Sequence, residues 1–339
     1  MSHSSSTRQG SLLLDPDNRL FVLARRSKRL LPWYFAVLLT IVFVVGVALA
    51  LQILFSLVHL TDVVTALAKS KDVRLSALSM IIPLVIIYGA TIVALALWVT
   101  FGEKRQFWTI GLQRKGALVK YVRGMLIGIA MYAIAIGVLA LTGSVRAIPG
   151  APGQVGLGAL AGVLLVFPAW AVQGASEEVI ARGWLLPTMG VRYRPWIGVL
   201  IPTIMFAVLH LPDFLATGFN ALAVLSLLVV SLFLSAYALS EQSLWGVLGF
   251  HAAWNWAEGN LLASQVSGNS AGGGALVKLT SIGPTWMTGG SFGPEAGLPV
   301  ITVGLIGLVG ILLFARYRTS SRVEAAKLAD SQPDLVDTH

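Results

Sequence analysis

The chain is 339 residues long, 56% hydrophobic and only 12% charged, about half the charged share of a soluble domain. Its net charge of +9 reads as the basic loop excess of a membrane protein, which argues against a nucleic-acid partner. There is no cysteine, so disulfides, thiol chemistry and thiolate metal sites are excluded.

Residues 1–31 form a polar, basic arm with six Lys/Arg. The first apolar run, Pro32 to Leu60, is too long for the core of a cleaved signal peptide and is predicted as a span. Further predicted spans are Leu78–Phe101, Met125–Leu141, Leu157–Val172 (continuing helically to Pro187), Trp196–Leu211, Phe219–Leu239, Leu244–Leu262 and Leu298–Phe314. The expected fold is an all-α, polytopic transmembrane helix bundle of eight spans. With the N-terminus inside, the inner segments hold 19 Lys/Arg and the outer ones 5, which predicts N-in and C-in. Residues 263–297 are rich in Gly and Ser without a phosphate-loop lysine, and read as a flexible outer connector. The tail from Arg318 has the composition of a disordered segment.

The chemistry lies in a few polar residues set among these apolar runs. QGASEEVIARGW places Glu178 and Arg182 at i,i+4, where they can pair on one helix face. Glu177 is rotated about 100° from Glu178, with Ala181 at its own i+4 position and no local cation. An acid in a span costs about 2.5–3.5 kcal/mol at the bilayer centre, so Glu177 is expected to face a protein or water-filled interior. His210 ends FAVLH with Phe206 one turn earlier, and His251 opens HAAWN with Asn255 one turn later. Polar groups in lipid must find one another. If these converge they form a hydrolytic site, with Glu177 taking a proton from water, His210 assisting, and His251 and Asn255 donating to an oxyanion. Counted along the predicted helices the depths disagree: His210 lies about 21 Å from Trp196, Glu177 about 15 Å from Pro187, and His251 about 10–12 Å from Leu244. A site between the cytoplasmic half and the midplane is the expectation.

The three motifs, EE-x-x-x-R (Glu177, Glu178, Arg182), F-x-x-x-H (Phe206, His210) and H-x-x-x-N (His251, Asn255), stand in an order that resembles the CPBP family of CAAX proteases and bacteriocin-processing enzymes, also called the ABI family. The resemblance spans roughly residues 120–262. It implies an α-helical intramembrane endopeptidase acting on a membrane-associated or prenylated protein or peptide. It also implies that Glu177, His210, His251 and Asn255 are catalytic and that Glu178, Arg182 and Phe206 support them. The domain reading that follows is a basic cytoplasmic arm (1–31), two spans and a basic loop (32–121), a CPBP-like catalytic core (122–262), the Gly/Ser-rich outer loop (263–297), a last span (298–316) and a polar cytoplasmic tail (317–339), all in the cell membrane. No cofactor is favoured. Zinc is the alternative, held by Glu177, His210 and His251, although HExxH is absent. The competing functions are a non-catalytic immunity or scaffold protein, which would be free to lose one of these polar residues, and a transporter with a Glu/His proton relay.

Overall fold

Lipid offers the backbone no hydrogen-bond partner, so a long apolar run satisfies its own amides as a helix. The computed structural model describes residues 13–330. Among the described residues, six helices are long and apolar enough to cross a membrane: α1 (Trp33–Leu57), α2 (Val73–Gly102), α3 (Ala117–Leu141), α5 (Pro195–Leu209, extended by a short helix to Thr217), α6 (Ala221–Glu241) and α8, whose apolar part is Leu298–Ser321. The pair Gly156–Leu165 and α4 (Phe167–Arg192) is apolar enough to make a seventh when taken together, and its two helices meet at 45°. The protein is therefore an all-α, multi-pass bundle whose apolar helices require a lipid bilayer. Leu57, Phe101 and Leu141 are among the side chains this bundle turns outward, at 73%, 70% and 90% exposure.

The seventh predicted span, Leu244–Leu262, is a helix of another kind. α7 (Trp245–Trp256) has twelve residues and continues as a π-helical turn, Ala257–Leu261. Every residue from Gly246 to Asn255 is buried, so α7 runs inside the bundle. Its closest partner is α3, and small residues set that distance. A Cβ at Gly124 or Gly128 would run into the carbonyls of Gly246 and Phe250, and one at Gly249 into that of Tyr121. Helices approach this closely in membranes where glycine lets the backbones meet.

The helix ends fall into two sets. At one end lie most of the basic residues. There Asn18 Nδ2 donates to the Leu239 carbonyl at 2.9 Å and Arg192 Nη1 to that of Leu30 at 2.8 Å. Buried Glu103 accepts from Arg105 Nε at 2.6 Å and from Trp184 Nε1 at 2.7 Å. At the other end β1 (Val145–Ala147) pairs antiparallel with β2 (Leu279–Ser281), a two-stranded ribbon in an otherwise helical chain.

Residues 263–297 are more ordered than a flexible connector. Asn260 Nδ2 donates to the carbonyls of Gly272 and Gly274 at 2.8 and 2.9 Å, and its Oδ1 accepts from Trp170 Nε1 at 2.7 Å. Glu295 accepts from the backbone amide and hydroxyl of Ser267 at 3.0 and 2.7 Å and from Trp254 Nε1 at 3.2 Å. Glycine here serves a backbone need: Gly273 and Gly274 have φ of +85° and +72°, a region closed to most side chains. At the C-terminus, α8 continues to Asp330, past the end expected at Phe314 and into the polar tail.

Candidate active site

α4 places Gln173, Glu177, Glu178 and Arg182 on successive turns. Arg182 Nη1 donates to Glu178 Oε1 at 2.8 Å, with both side chains fully buried. The other guanidinium nitrogen donates to the carbonyl of Ser231 at 3.2 Å and to its hydroxyl at 2.7 Å. The guanidinium lies 4.8 Å from the centre of the Phe206 ring, a cation–π contact. One Glu–Arg pair, one serine from α6 and one aromatic face from α5 thus neutralise a charge that lipid would reject.

The same carboxylate reaches a third helix. Glu178 Oε1 also lies 2.9 Å from His251 Nδ1. A carboxylate only accepts, so Nδ1 carries the proton, and Nε2 of His251 faces Glu177 Oε2 at 3.7 Å. Glu177 Oε1 accepts from Gln173 Nε2, one turn earlier on α4. Gln173 Oε1 in turn accepts from Asn255 Nδ2 at 2.8 Å. Glu177 Oε2 has no hydrogen-bond partner, and its side chain is 19% exposed.

His210 terminates α5. Its Nδ1 donates to the Phe206 carbonyl at 2.7 Å, which leaves Nε2 free. The Phe206 ring lies 4.8 Å from the His210 ring and 6.4 Å from that of His251, centre to centre. Glu177, His210, His251 and Asn255 all line one cavity of about 450 Å³. A second, smaller cavity of about 100 Å³ adjoins it, and Glu177, Tyr88 and His210 border both.

The disagreement in depth disappears for two structural reasons. α4 extends to Arg192 rather than Pro187, so Glu177 lies fifteen residues, about 22 Å, from the basic end. α5 contributes fifteen residues before His210, the same distance. α7 starts deep, because the turn before it is buried: Ser243 and Leu244 are fully enclosed and the Leu244 amide donates to the Gly111 carbonyl at 3.0 Å. Leu244 packs against Gly183 and His251 against Gly174, so α4 and α7 run antiparallel in register and bring His251 level with Glu177. Immediately past the acids, α4 widens into a π-helical stretch, Val179–Leu185, a distortion common beside functional sites.

Gln173 was within reach of the sequence, since it stands at i−4 from Glu177 as Glu178 does from Arg182. Ser231, Tyr88, Asp213 and the loop residues Ser267, Asn269 and Glu295 carried no sequence signal that separated them from their surroundings. As for metal, no group of three His, Cys, Asp or Glu side chains among the described residues is placed to hold an ion. The Nδ1 atoms of His251 and His210 are held by Glu178 and the Phe206 carbonyl, so each ring has Nε2 alone to offer a metal.

Residues 158–257 match the family described as Rce1-like, the type II CAAX prenyl endopeptidases. The matched segment contains all three motifs and the whole of α4 to α7, and it supports the resemblance to CPBP membrane proteases drawn from those motifs. No curated protein and no solved structure matches the chain.

Proposed function

We propose that this protein is an intramembrane endopeptidase, resident in the cell membrane, that cuts a peptide bond of a membrane-associated or prenylated protein with water activated by Glu177. The observation that carries the reading is the state of that carboxylate. One oxygen is held by Gln173, while the other has no partner and borders a cavity shared with both histidines. A buried, unpaired acceptor is costly unless it has a task, and a water between Glu177 and His210 would give it one.

In this mechanism Glu177 removes a proton from that water while the oxygen attacks the scissile carbonyl carbon. His210 accepts a second hydrogen bond from the water through Nε2 and fixes its approach. The carbonyl oxygen becomes an oxyanion, which His251 Nε2–H, in the imidazolium form, and the free N–H of Asn255 stabilise. Glu177 then passes its proton to the amide nitrogen, the C–N bond breaks, and a carboxyl and an amine terminus leave. Glu178 and Arg182 keep His251 oriented, and Phe206 holds the two imidazoles apart. The basic end of the bundle is assigned to the cytoplasm, with both termini inside, on the excess of Lys/Arg there.

The test is processing of candidate membrane substrates in cells that express wild type, Glu177→Ala or His210→Ala. Both variants are expected to reach the membrane and lose cleavage. Unchanged processing by both would refute the assignment.

A further inference from the structure

Three stretches of chain meet at the basic end, and each brings cations to the meeting point. Arg192, the last residue of α4, donates through Nη1 to the Leu30 carbonyl at 2.8 Å. The Trp33 amide donates to the Tyr193 hydroxyl oxygen at 3.1 Å, and the Lys28 amide to the Glu103 carbonyl at 3.0 Å. These bonds hold residues 28–33 against both the turn that joins α4 to α5 and the turn that follows α2. Lys28, Arg29, Lys104, Arg192 and Arg194 are therefore neighbours along one seam, and all five are exposed.

The seam has no anion of its own. The only acid within residues 26–36, 98–110 and 186–200 is Glu103, which is fully buried and engaged by Arg105 and Trp184. Other cations at this end do meet carboxylates, Arg25 with Asp17 and Arg123 with Glu241. None of the five along the seam is in an ion pair among the described residues. Like charges gathered in this way repel one another, and an anion among them relieves the repulsion. Arg192 is pinned by its bond to Leu30, so its remaining N–H groups meet that anion in a set geometry, which suits the oxygens of a phosphate.

The surroundings decide which anion fits. The seam lies where two spans begin, α1 at Trp33 and α5 at Pro195. Trp33, Tyr34 and Trp196 are exposed there, and Trp and Tyr favour the level of lipid headgroups. Further along, the same two helices turn apolar side chains outward, Leu38 and Ile41 on α1 and Leu200 and Ile204 on α5. The helices are neighbours at this depth, because Thr40 and Pro202 border one small cavity. A phosphate held at the seam thus has a hydrocarbon wall directly beneath it, which a phospholipid uses and a dissolved phosphate does not. We propose that the seam is a binding site for an anionic phospholipid, with the lipid phosphate on Arg29, Arg192 and Arg194, its headgroup edged by Lys28 and Lys104, and its acyl chains along α1 and α5. The site is separate from the cavity of Glu177, and it stands whether or not the hydrolase reading does.

The experiment is lipid titration. Full-length protein, purified and delipidated in detergent, is titrated with dioleoyl phosphatidylglycerol or dioleoyl phosphatidylcholine, and bound lipid is counted by native mass spectrometry. Phosphatidylglycerol is expected to bind at least about tenfold more tightly than phosphatidylcholine, and Arg29→Gln/Arg194→Gln to remove most of that difference. Arg29→Lys/Arg194→Lys should retain much of it. Arg114→Gln/Lys115→Gln takes the same charge from exposed residues elsewhere at this end, and should leave the difference intact. Both altered seam residues are exposed, so the lipid-free variants are expected to melt as wild type does. Equal binding of the two lipids, or equal losses in the two glutamine variants, would overturn the proposal by reducing the seam to general surface charge. Displacement of phosphatidylglycerol by millimolar inorganic phosphate would overturn it in favour of a site for free anions.

Discussion

His251 presents its two ring nitrogens to two adjacent carboxylates: Nδ1 lies 2.9 Å from Glu178 Oε1, and Nε2 lies 3.7 Å from Glu177 Oε2. Neighbouring acids on one helix thus have different duties, because a helix turns about 100° between them. Glu178 points to Arg182 and orients the imidazole. Glu177 points to the cavity.

That division predicts different phenotypes. Glu177→Gln keeps the contact with Gln173 available and is expected to change thermal stability by less than about 1 kcal/mol while lowering turnover by at least about a thousandfold. Glu178→Ala strands Arg182 in a sealed interior. It is expected to cost about 3–5 kcal/mol, the usual penalty for an orphaned buried charge. Thermal denaturation in detergent, set beside turnover of one reporter substrate, distinguishes the two.

Gln173 and Asn255 are expected to act as a unit. Asn255 holds the Gln173 carbonyl, and the Gln173 amide holds Glu177. Gln173→Leu should lower kcat by roughly ten- to a hundredfold with little change in KM, because it misdirects the base without touching bound substrate. The double variant Gln173→Leu/Asn255→Ala should be far less impaired than the product of the two single effects. A fully multiplicative double variant would show that Asn255 works independently of the glutamine.

Activity is expected to survive exhaustive chelation, and the purified protein to carry no stoichiometric zinc. Among the described residues no three His, Cys, Asp or Glu side chains are grouped closely enough to hold an ion, and the proposed mechanism gives both Nε2 atoms other work. Loss of turnover on chelation, with recovery on adding zinc, would overturn the direct-water mechanism.

Gly124→Val tests the bundle rather than the chemistry. Its side chain would overlap the Gly246 carbonyl, part of a backbone with no room to yield. The expected outcome is loss of folded protein from the membrane fraction. Gly137→Ala on the same helix, where a Cβ meets nothing within 4 Å, should be silent or slightly stabilising.

The helical bundle was legible in the sequence because lipid leaves a chain so few options. Apolar length alone locates most of the helices, and helical spacing alone pairs Glu178 with Arg182. Where the reading failed, the cause was tertiary. Pro187 looked like a helix end but lies inside α4, where the neighbouring π-helical stretch accommodates it. α7 has the composition expected of a span, but at twelve residues it is short and is enclosed by protein from Gly246 to Asn255. The segment 263–297 looked like a linker because its glycines hide their purpose. They serve positive φ angles and close backbone contacts, which only the folded loop makes visible. Asp213 was passed over for a related reason: an acid just past the end of an apolar run looks like an ordinary surface residue until the chain turns it toward His210.

The loop that closes the cavity has a bearing on biogenesis. Val266, Ser267, Asn269, Phe292 and Glu295 supply part of the wall, yet they follow all three motifs in the chain. A chain that ends after α7 already holds Glu177, His210, His251 and Asn255 but lacks one side of the chamber. On the proposed hydrolase reading, the chamber is complete only once this late segment has docked against α4 to α7.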